Sequence, residues 1–305
     1  MPGKILITGG SGLIGSRLSE MLIDQGYEVA HLSRTPGKFS HYKTFRWDVE
    51  GGFIDDSAIT YADYIIHLAG AGLSDEKWTS ERKKEILRSR VDSTNLLRNS
   101  LQRKTHHVKG FISGSAIGIY GNSGDQVVSE ESTYADDFLA QVCKAWEAAA
   151  WQVKDLGIRT VIMRTGIVLS DQGGALPQLA RPIRLLAGAP LGSGRQYMSW
   201  IHIDDLCRLF IRAIEDPQFE GVYNAVAPHP VTNKEFTKEL AEVMHKPLVL
   251  PKVPSFAIHL VMGEMSEVVL TGQRVSANKV LQTGFTFEYN FLDEALKSFY
   301  KESNS

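Results

Sequence analysis

Apolar residues recur along this chain in two rhythms. Six short runs rich in β-branched residues, KILIT (4–8), EVAHL (28–32), TFRWD (44–48), DYIIHLAG (63–70), HVKGFISGS (107–115) and RTVIMRTG (159–166), predict strands. Between them, residues 12–26, 79–103 and 138–155 repeat apolar side chains at helical spacing. Strands alternating with longer helices predict an α/β fold, a Rossmann-type doubly wound parallel sheet with crossover helices. After residue 169 the pattern breaks into Gly- and Pro-rich pieces, SDQGGALPQ (170–178) and AGAPLGSGRQ (187–196). A helix over 203–216 and a strand at GVYNAV (221–226) then return to the first rhythm. Beyond Pro228 come a helical pattern to Lys246 and short amphipathic pieces within 254–272 and 276–284. The division that follows is a main Rossmann-type domain over 1–169 plus 201–226. A smaller α+β substrate cap takes 170–200 plus 227–305.

Composition narrows the picture by exclusion. With 305 residues there is ample chain for a core, and a net charge of -2 leaves no basic footprint for nucleic acid. Cys143 and Cys207 sit in apolar helical segments, and their spacing suits neither a disulfide framework nor a metal site. His106 and His107 have no partner at ligand spacing, so no metal is expected. No apolar run approaches the ~20 residues of a membrane span, and the chain opens directly into KILITGG. The expectation is a cytoplasmic protein with a small-molecule substrate and no membrane or nucleic-acid partner.

The strongest local signal is KILITGGSGLIGSRL. An apolar strand ends at Thr8, Gly9 permits a tight turn, Gly12 lets the backbone approach a pyrophosphate, and Gly15 allows close packing of helix on strand. Leu13, Ile14 and Gly15 then open a helix whose N-terminus faces the anion. Dinucleotides are distinguished at the end of the second strand, where an acidic residue would hold the ribose of NAD. Here EVAHLSRTPGK puts Ser33 and Arg34, a hydroxyl and a guanidinium suited to a 2'-phosphate, with Lys38 as a second cation. NADP(H) is therefore the expected cofactor, with NAD(H) second. Asp48, ending the next strand, is placed to accept from the adenine amino group; a solvated turn aspartate is the other reading.

Taken together, TGGSGLIG, HLAG (67–70), SGSAIGIYG (113–121) and Lys144 resemble the extended short-chain dehydrogenase/reductase superfamily. FLAQVCKAWE (138–147), MRTGIVLS, PLGSGRQYMSWIHIDDL, NAVAPHPVTNKEF and TGQRVSANKVLQTGF are similar to its atypical branch, the NAD(P)-dependent epimerase/dehydratase-like proteins. The resemblance covers essentially the whole chain. It implies a Ser–Tyr–Lys set in which the tyrosine exchanges the proton, the lysine lowers its pKa and holds the nicotinamide ribose, and the serine orients the substrate oxygen. By position these are Ser115, Ala140 and Lys144, and an alanine transfers no proton. Three readings stay open. Tyr120 takes over as acid; water or a substrate group carries the proton beside Lys144 and Ser115; or the chain binds NADP(H) without turnover, as a regulatory protein.

The same resemblance implies that Leu68, Ala69 and Gly70 pass beside the ribose–nicotinamide half, and that Arg164 closes the site where the backbone at Gly166 meets the carboxamide. In the basic stretch SERKKEILRSR most charges fall on a solvated face, with Arg82 alone aimed at the pocket. His202 is a second proton-donor candidate, although IHIDDL reads as a strand-to-helix corner capped by Asp204 or Asp205. A homodimer through helices 79–103 and 138–155 follows the superfamily habit.

Overall fold

The computed structural model of the chain describes residues 2–37 and 42–300. In chain order its first elements are β1 (Lys4–Thr8), α1 (Leu13–Asp24), β2 (Glu28–Ser33), β3 (Lys43–Asp48), β4 (Phe53–Ile54), α2 (Asp56–Tyr61) and β5 (Tyr64–His67). Then follow α3 (Ser80–Arg103), β6 (Gly110–Ala116), β7 (Val127–Val128), α4 (Phe138–Lys154), β8 (Arg159–Thr165) and β9 (Ile167–Leu169). The remainder comprises α5 (Ala175–Arg184), β10 (Tyr197–Met198), β11 (Trp200–His202), α6 (Ile203–Glu215), β12 (Gly221–Ala225), β13 (Val231–Thr232), α7 (Asn233–Val243), α8 (Ser255–Met262), α9 (Glu267–Leu270), β14 (Arg274–Val275), α10 (Asn278–Gln282) and α11 (Leu292–Phe299).

Eight strands form one sheet in the order β12-β8-β6-β5-β1-β2-β3-β4, parallel except for the terminal β3–β4 pair. All six strands expected from the apolar runs lie in it, and each begins to pair within three residues of where its sequence run begins. The two-residue β4 and the helix α2 are additions that the sequence pattern does not announce. Successive residues of β1 serve opposite faces. Ile5 and Ile7 pack with Leu18 and Leu22 of α1 and the inner side of α6, whereas Leu6 packs with Leu97 of α3 and Ala150 and Val153 of α4. A sheet covered on both sides needs apolar residues at every position, hence the near-continuous runs.

From β1 the chain winds outward through β2 and β3, then returns to the other side of β1 with β5. The carboxyl ends of β1 and β5 therefore flank a topological switch point, where open α/β sheets bind ligands. A third core joins α5, α7 and α11 through Leu176, Ile183, Phe236, Leu240 and Leu296. Residues 274–287, assigned to the cap on texture, pack otherwise: Val275, Ala277, Val280 and Phe287 belong to the main core, and Lys279 donates to the Val222 carbonyl at 2.7 Å. Short apolar helices carry no mark in sequence of which core they will join.

Candidate functional site

At the switch point the glycine turn has the geometry that a bound anion requires. Gly9 holds φ at 70°, and a Cβ there would come 2.9 Å from the Leu68 carbonyl. Gly12 donates to the Gly9 carbonyl at 3.0 Å and caps α1 with no side-chain bond. A Cβ at Gly15 would collide with the same Gly9 oxygen, so only glycine lets the helix sit this close. The first intrahelical donor is Ser16, bonded to Gly12 O at 2.9 Å. The N–H groups of Leu13, Ile14 and Gly15 have no partner among the described residues, and no acidic side chain occupies the first turn. Unpaired donors at a helix N-terminus form a ready site for a pyrophosphate.

Two buried histidines support this turn. His31 stacks on Tyr42, with ring centroids 4.5 Å apart, and lies under Gly10; its Nε2 is 2.8 Å from Ser19 Oγ. Ser19 already donates to Gly15 O, so it accepts from His31. His67 bridges Thr8 Oγ1 at 2.7 Å and Thr94 Oγ1 at 2.9 Å. Because Thr94 donates to Arg90 O, it accepts from His67 Nε2–H, which leaves Nδ1 to accept the Thr8 hydroxyl proton. Thr8 Oγ1 in turn accepts the N–H groups of Leu68 and Ala69, both at 3.1 Å. In this way HLAG is held with its backbone beside the turn. Burial pushes His31 down to about 4 and His67 down to about 3, so both are neutral at ordinary pH.

Ser33 ends β2 and Arg34 follows it directly; Leu32 of the same strand is in register with Thr8 of β1. Ser33 Oγ accepts the Thr35 N–H at 3.1 Å, and Arg34 is exposed with no ion pair among the described residues. Lys38 lies outside the described residues. Asp48 ends β3, with Oδ1 accepting Gly51 N–H at 3.1 Å, which shapes a turn.

Arg90 escapes a reading that treats the basic stretch of α3 as a solvated face. Arg82, Ile86, Arg90, Ser93 and Leu97 recur at helical spacing on the inner side of α3, and that periodicity was the available signal. Arg90 Nη1 donates to Ala71 O at 3.1 Å and Ile86 O at 2.9 Å, and its guanidinium lies 5.2 Å from the Trp146 ring. A Cβ on Gly70 would stand 3.0 Å from Arg90 Cζ. No carboxylate pairs with this cation among the described residues, its Nε and Nη2 have no protein acceptor, and burial lowers its pKa. Arg82 is spent differently, bonding Glu85 at 2.6 Å and the Gly72 carbonyl at 2.7 Å to fold the 72–75 loop rather than facing a pocket.

The expected catalytic side chains are not brought together. Ser115 points away from the cleft into a buried cluster and donates to Glu147 Oε1 at 2.7 Å, a consequence of strand alternation on β6. Arg164 is fully buried in that cluster and cannot reach a cofactor with its side chain. Its Nε and Nη2 grip the two oxygens of Glu147, each at 2.8 Å, and Nη2 and Nη1 also reach the hydroxyls of Tyr134 and Tyr120 at 2.8 Å. Burial opposes the Arg164 charge, but the Glu147 carboxylate outweighs it and raises the pKa further. Tyr120 donates to Asn224 Oδ1 at 2.7 Å, and burial pushes it up to about 12, away from the value a general acid needs.

His202 is equally committed. It stacks between Tyr289 and Phe299 with centroids 3.8 and 4.6 Å away, and burial pushes it down to about 4. Its Nδ1 accepts the Asp204 N–H at 3.0 Å, so the histidine itself caps α6 and the expected capping role of Asp204 or Asp205 falls away. Asp205 instead accepts the backbone N–H groups of Glu288 and Tyr289. Lys144 remains accessible on α4, with Nζ 2.7 Å from the exposed Asp136 carboxylate. Ala140, one turn earlier, is fully buried. A cleft of about 720 Å³ opens beside the glycine turn at Ser11, Gly12 and Leu13 and runs toward Gln172, His202 and Tyr289.

A parallel sheet with its switch point at this turn, and three unpaired helix N–H groups beneath it, define a Rossmann nucleotide-binding protein of the short-chain dehydrogenase/reductase type. Residues 5–226 match the NAD dependent epimerase/dehydratase family, and the chain belongs to that family. Residues 253–299 match a domain of unknown function, DUF1731. The epimerase family protein YfhF of Bacillus subtilis is 37% identical over 298 residues, 96% of each chain. The crystal structure of human epimerase family protein SDR39U1 with NADPH superposes with a TM-score of 0.87 at 30% identity, over 98% of this chain and 99% of that one. A UDP-glucuronic acid 4-epimerase from Bacillus cereus, solved with UDP-glucuronic acid and NAD, has a TM-score of 0.79 over 97% and 98% of the two chains; at 19% identity this likeness speaks to fold alone.

Proposed function

We propose that the chain binds NADP(H) and acts as an oxidoreductase or epimerase-like enzyme on a small polar metabolite, without the proton-donating phenol usual in its superfamily. The observation that carries the cofactor assignment is a set of donors with no partner among the described residues, at the carboxyl ends of β1, β2 and β5: the N–H groups of Leu13, Ile14 and Gly15, the Arg34 guanidinium, and two edges of Arg90. Arg34 and Ser33 suit the 2'-phosphate and the α1 N-terminus the pyrophosphate; Arg90 suits whatever anionic or carbonyl oxygen passes Gly70. NADPH bound in the human relative supports this reading. When bound, such a cofactor supplies hydride. What the chain's own residues contribute is orientation, through the Thr8–His67 support of Leu68 and Ala69, and a cation at Lys144. With Tyr120 and His202 engaged elsewhere, Lys144 or a water beside it is the group left to move a proton.

That engagement of every other candidate also favours a second reading, a regulatory NADP(H)-binding protein with no turnover. Two buried, unpaired cysteines suit the reducing cytoplasm in either case. Fluorescence titration with NADPH and NADH tests the cofactor assignment: Arg34→Ala should lower the NADPH preference by at least about tenfold, and an unchanged ratio would overturn it. Loss of nicotinamide absorbance on mixing with carbonyl metabolite pools distinguishes the enzyme from the binder.

A further inference from the structure

Residues 254–270, at the start of the stretch that matches DUF1731, enter none of the three large cores among the described residues. They fold as α8, the turn Gly263–Ser266 and α9, and both helices pack chiefly on that turn. Polar bonds close within the unit: the fully buried Ser266 donates to Gly263 O and lies 2.6 Å from His259 Nδ1. Of α8 only Ile258 is buried, whereas Phe256, Leu260 and Val261 are exposed, and α9 buries no residue. A segment with so little apolar surface committed to its surroundings is cheap to lift from them. Both of its ends are pinned to one loop. Val253 donates to Pro190 O at 2.9 Å and accepts Gly192 N–H at 2.8 Å. At the other end Gln196 Nε2 donates to Val269 O at 2.9 Å, and Gly272 lies so near Tyr197 that a Cβ would stand 2.3 Å from the Tyr197 carbonyl oxygen. The tip between these ends rests on the main domain. Met265 packs in a small fourth core with Leu73, Trp78, Ile86, Phe138, Leu139 and Val142, and Glu264 pairs with Lys83 of α3, whose ammonium also lies 5.1 Å from the Phe138 ring.

Ends fixed side by side and a tip held by one thioether and one exposed ion pair make a hinged flap on a weak latch. We propose that residues 254–270 open and close as a unit about the 190–197 loop, and that this movement admits and releases the nicotinamide end of the cofactor. The seat of the latch gives the flap that task. Leu73 and Trp78 lie on the loop that continues HLAG past Gly70, and Phe138 and Leu139 form the first turn of α4, the helix of Lys144. With the tip seated, these two segments are bridged; with it raised, the way between them is open. Met265 suits such a latch, because an unbranched thioether adapts to the slot it enters and leaves. The gating role rests on the NADP(H) reading, whereas the opening follows from the packing alone.

Hydrogen–deuterium exchange of the full chain, resolved by peptide mass spectrometry, tests the opening, and stopped-flow release of NADPH tests the gating. Amides of α8 and α9 are expected to exchange at least about a hundredfold faster than those of β1 and β5. Met265→Ser should speed exchange in α8 and α9 at least about tenfold further and Lys83→Ser about two- to fivefold, with β1 and β5 unchanged. Should Met265→Ser loosen β1 as well, Lys83→Ser carries the comparison. NADPH should leave Met265→Ser at least about fivefold faster than the wild type. Exchange in α8 as slow as in β1, or unmoved by both substitutions, overturns the flap. Selective opening with an unaltered rate of NADPH release overturns its hold on the site. A wild type that binds no NADPH refutes the cofactor reading and the gating together, and the exchange rates then judge the opening by itself.

Discussion

Mild acid should destabilise this protein through three buried histidines, and the size of the effect can be worked from the structure. His31, His67 and His202 are all pushed by burial to about 4, 3 and 4. A histidine whose folded pKa is depressed stabilises the fold fully above its unfolded value near 6.5, and that contribution drains away as pH falls, because the unfolded chain takes up the proton and the folded one does not. From about pH 7.5 to about pH 5.5 each such group forfeits ~1.4 kcal/mol, so the three together forfeit ~4 kcal/mol. The carboxylates with downward shifts, Asp63, Asp136, Glu235 and Asp293, titrate below that window, whereas burial pushes Asp205 and Glu239 up, and a proton taken up by either in the folded chain offsets part of the loss. Urea unfolding at the two pH values, with equal m-values as a control, measures the loss. His67→Gln should cut it by about a third, to ~2.7 kcal/mol, whatever it does to stability at neutral pH. A total loss near 1 kcal/mol, or an identical loss in His67→Gln, would mean that these rings are protonated in the folded protein and that the hydrogen-bond chain through Thr8 and Thr94 runs otherwise.

Three further outcomes follow from named contacts. Glu147→Gln leaves the Arg164 guanidinium buried without its anion and should cost about 3–5 kcal/mol by chemical denaturation, whereas a loss below about 1 kcal/mol would place that pair in water. Arg90→Met should raise the NADPH dissociation constant by about 10- to 150-fold, the worth of charge-assisted bonds to a ligand, and a change within twofold would remove Arg90 from the groove. Ala140→Tyr forces a phenol into a fully buried position on α4 and should cost about 1–3 kcal/mol or more in stability, with NADPH affinity within a few fold of wild type because the α1 N-terminus and Arg34 are untouched. A large loss of cofactor binding in that variant would mean that α4 stands closer to the groove than Lys144 and Asp136 indicate.

The distinction between legible and illegible features follows the range of the forces involved. Strand runs, helical periodicity and the glycine turn are local: Ile5, Leu6 and Ile7 must be apolar because two layers cover them, and Gly15 must lack a Cβ because the Gly9 carbonyl lies against it. Ser33 and Arg34 are legible for the same reason, since one ends β2 and the other is the next residue of the chain. Ser115 and Arg164 illustrate the opposite case. Their types and strand-end positions suit a site, but the direction of each side chain is settled by Glu147, which arrives from α4, and by Tyr120, Tyr134 and Asn224, from three other segments. Arg90 stands between the two: its place on the inner side of α3 can be counted from the periodicity, while its lack of an anion becomes visible only when the whole fold has been assembled around it. Sequence alone determined the doubly wound sheet, the glycine turn and the absence of a phenol at Ala140, because each is written in neighbouring residues. Tertiary structure decided which polar groups are spent and which are free, because a donor's partner can lie a hundred residues away, as Tyr120's does in Asn224.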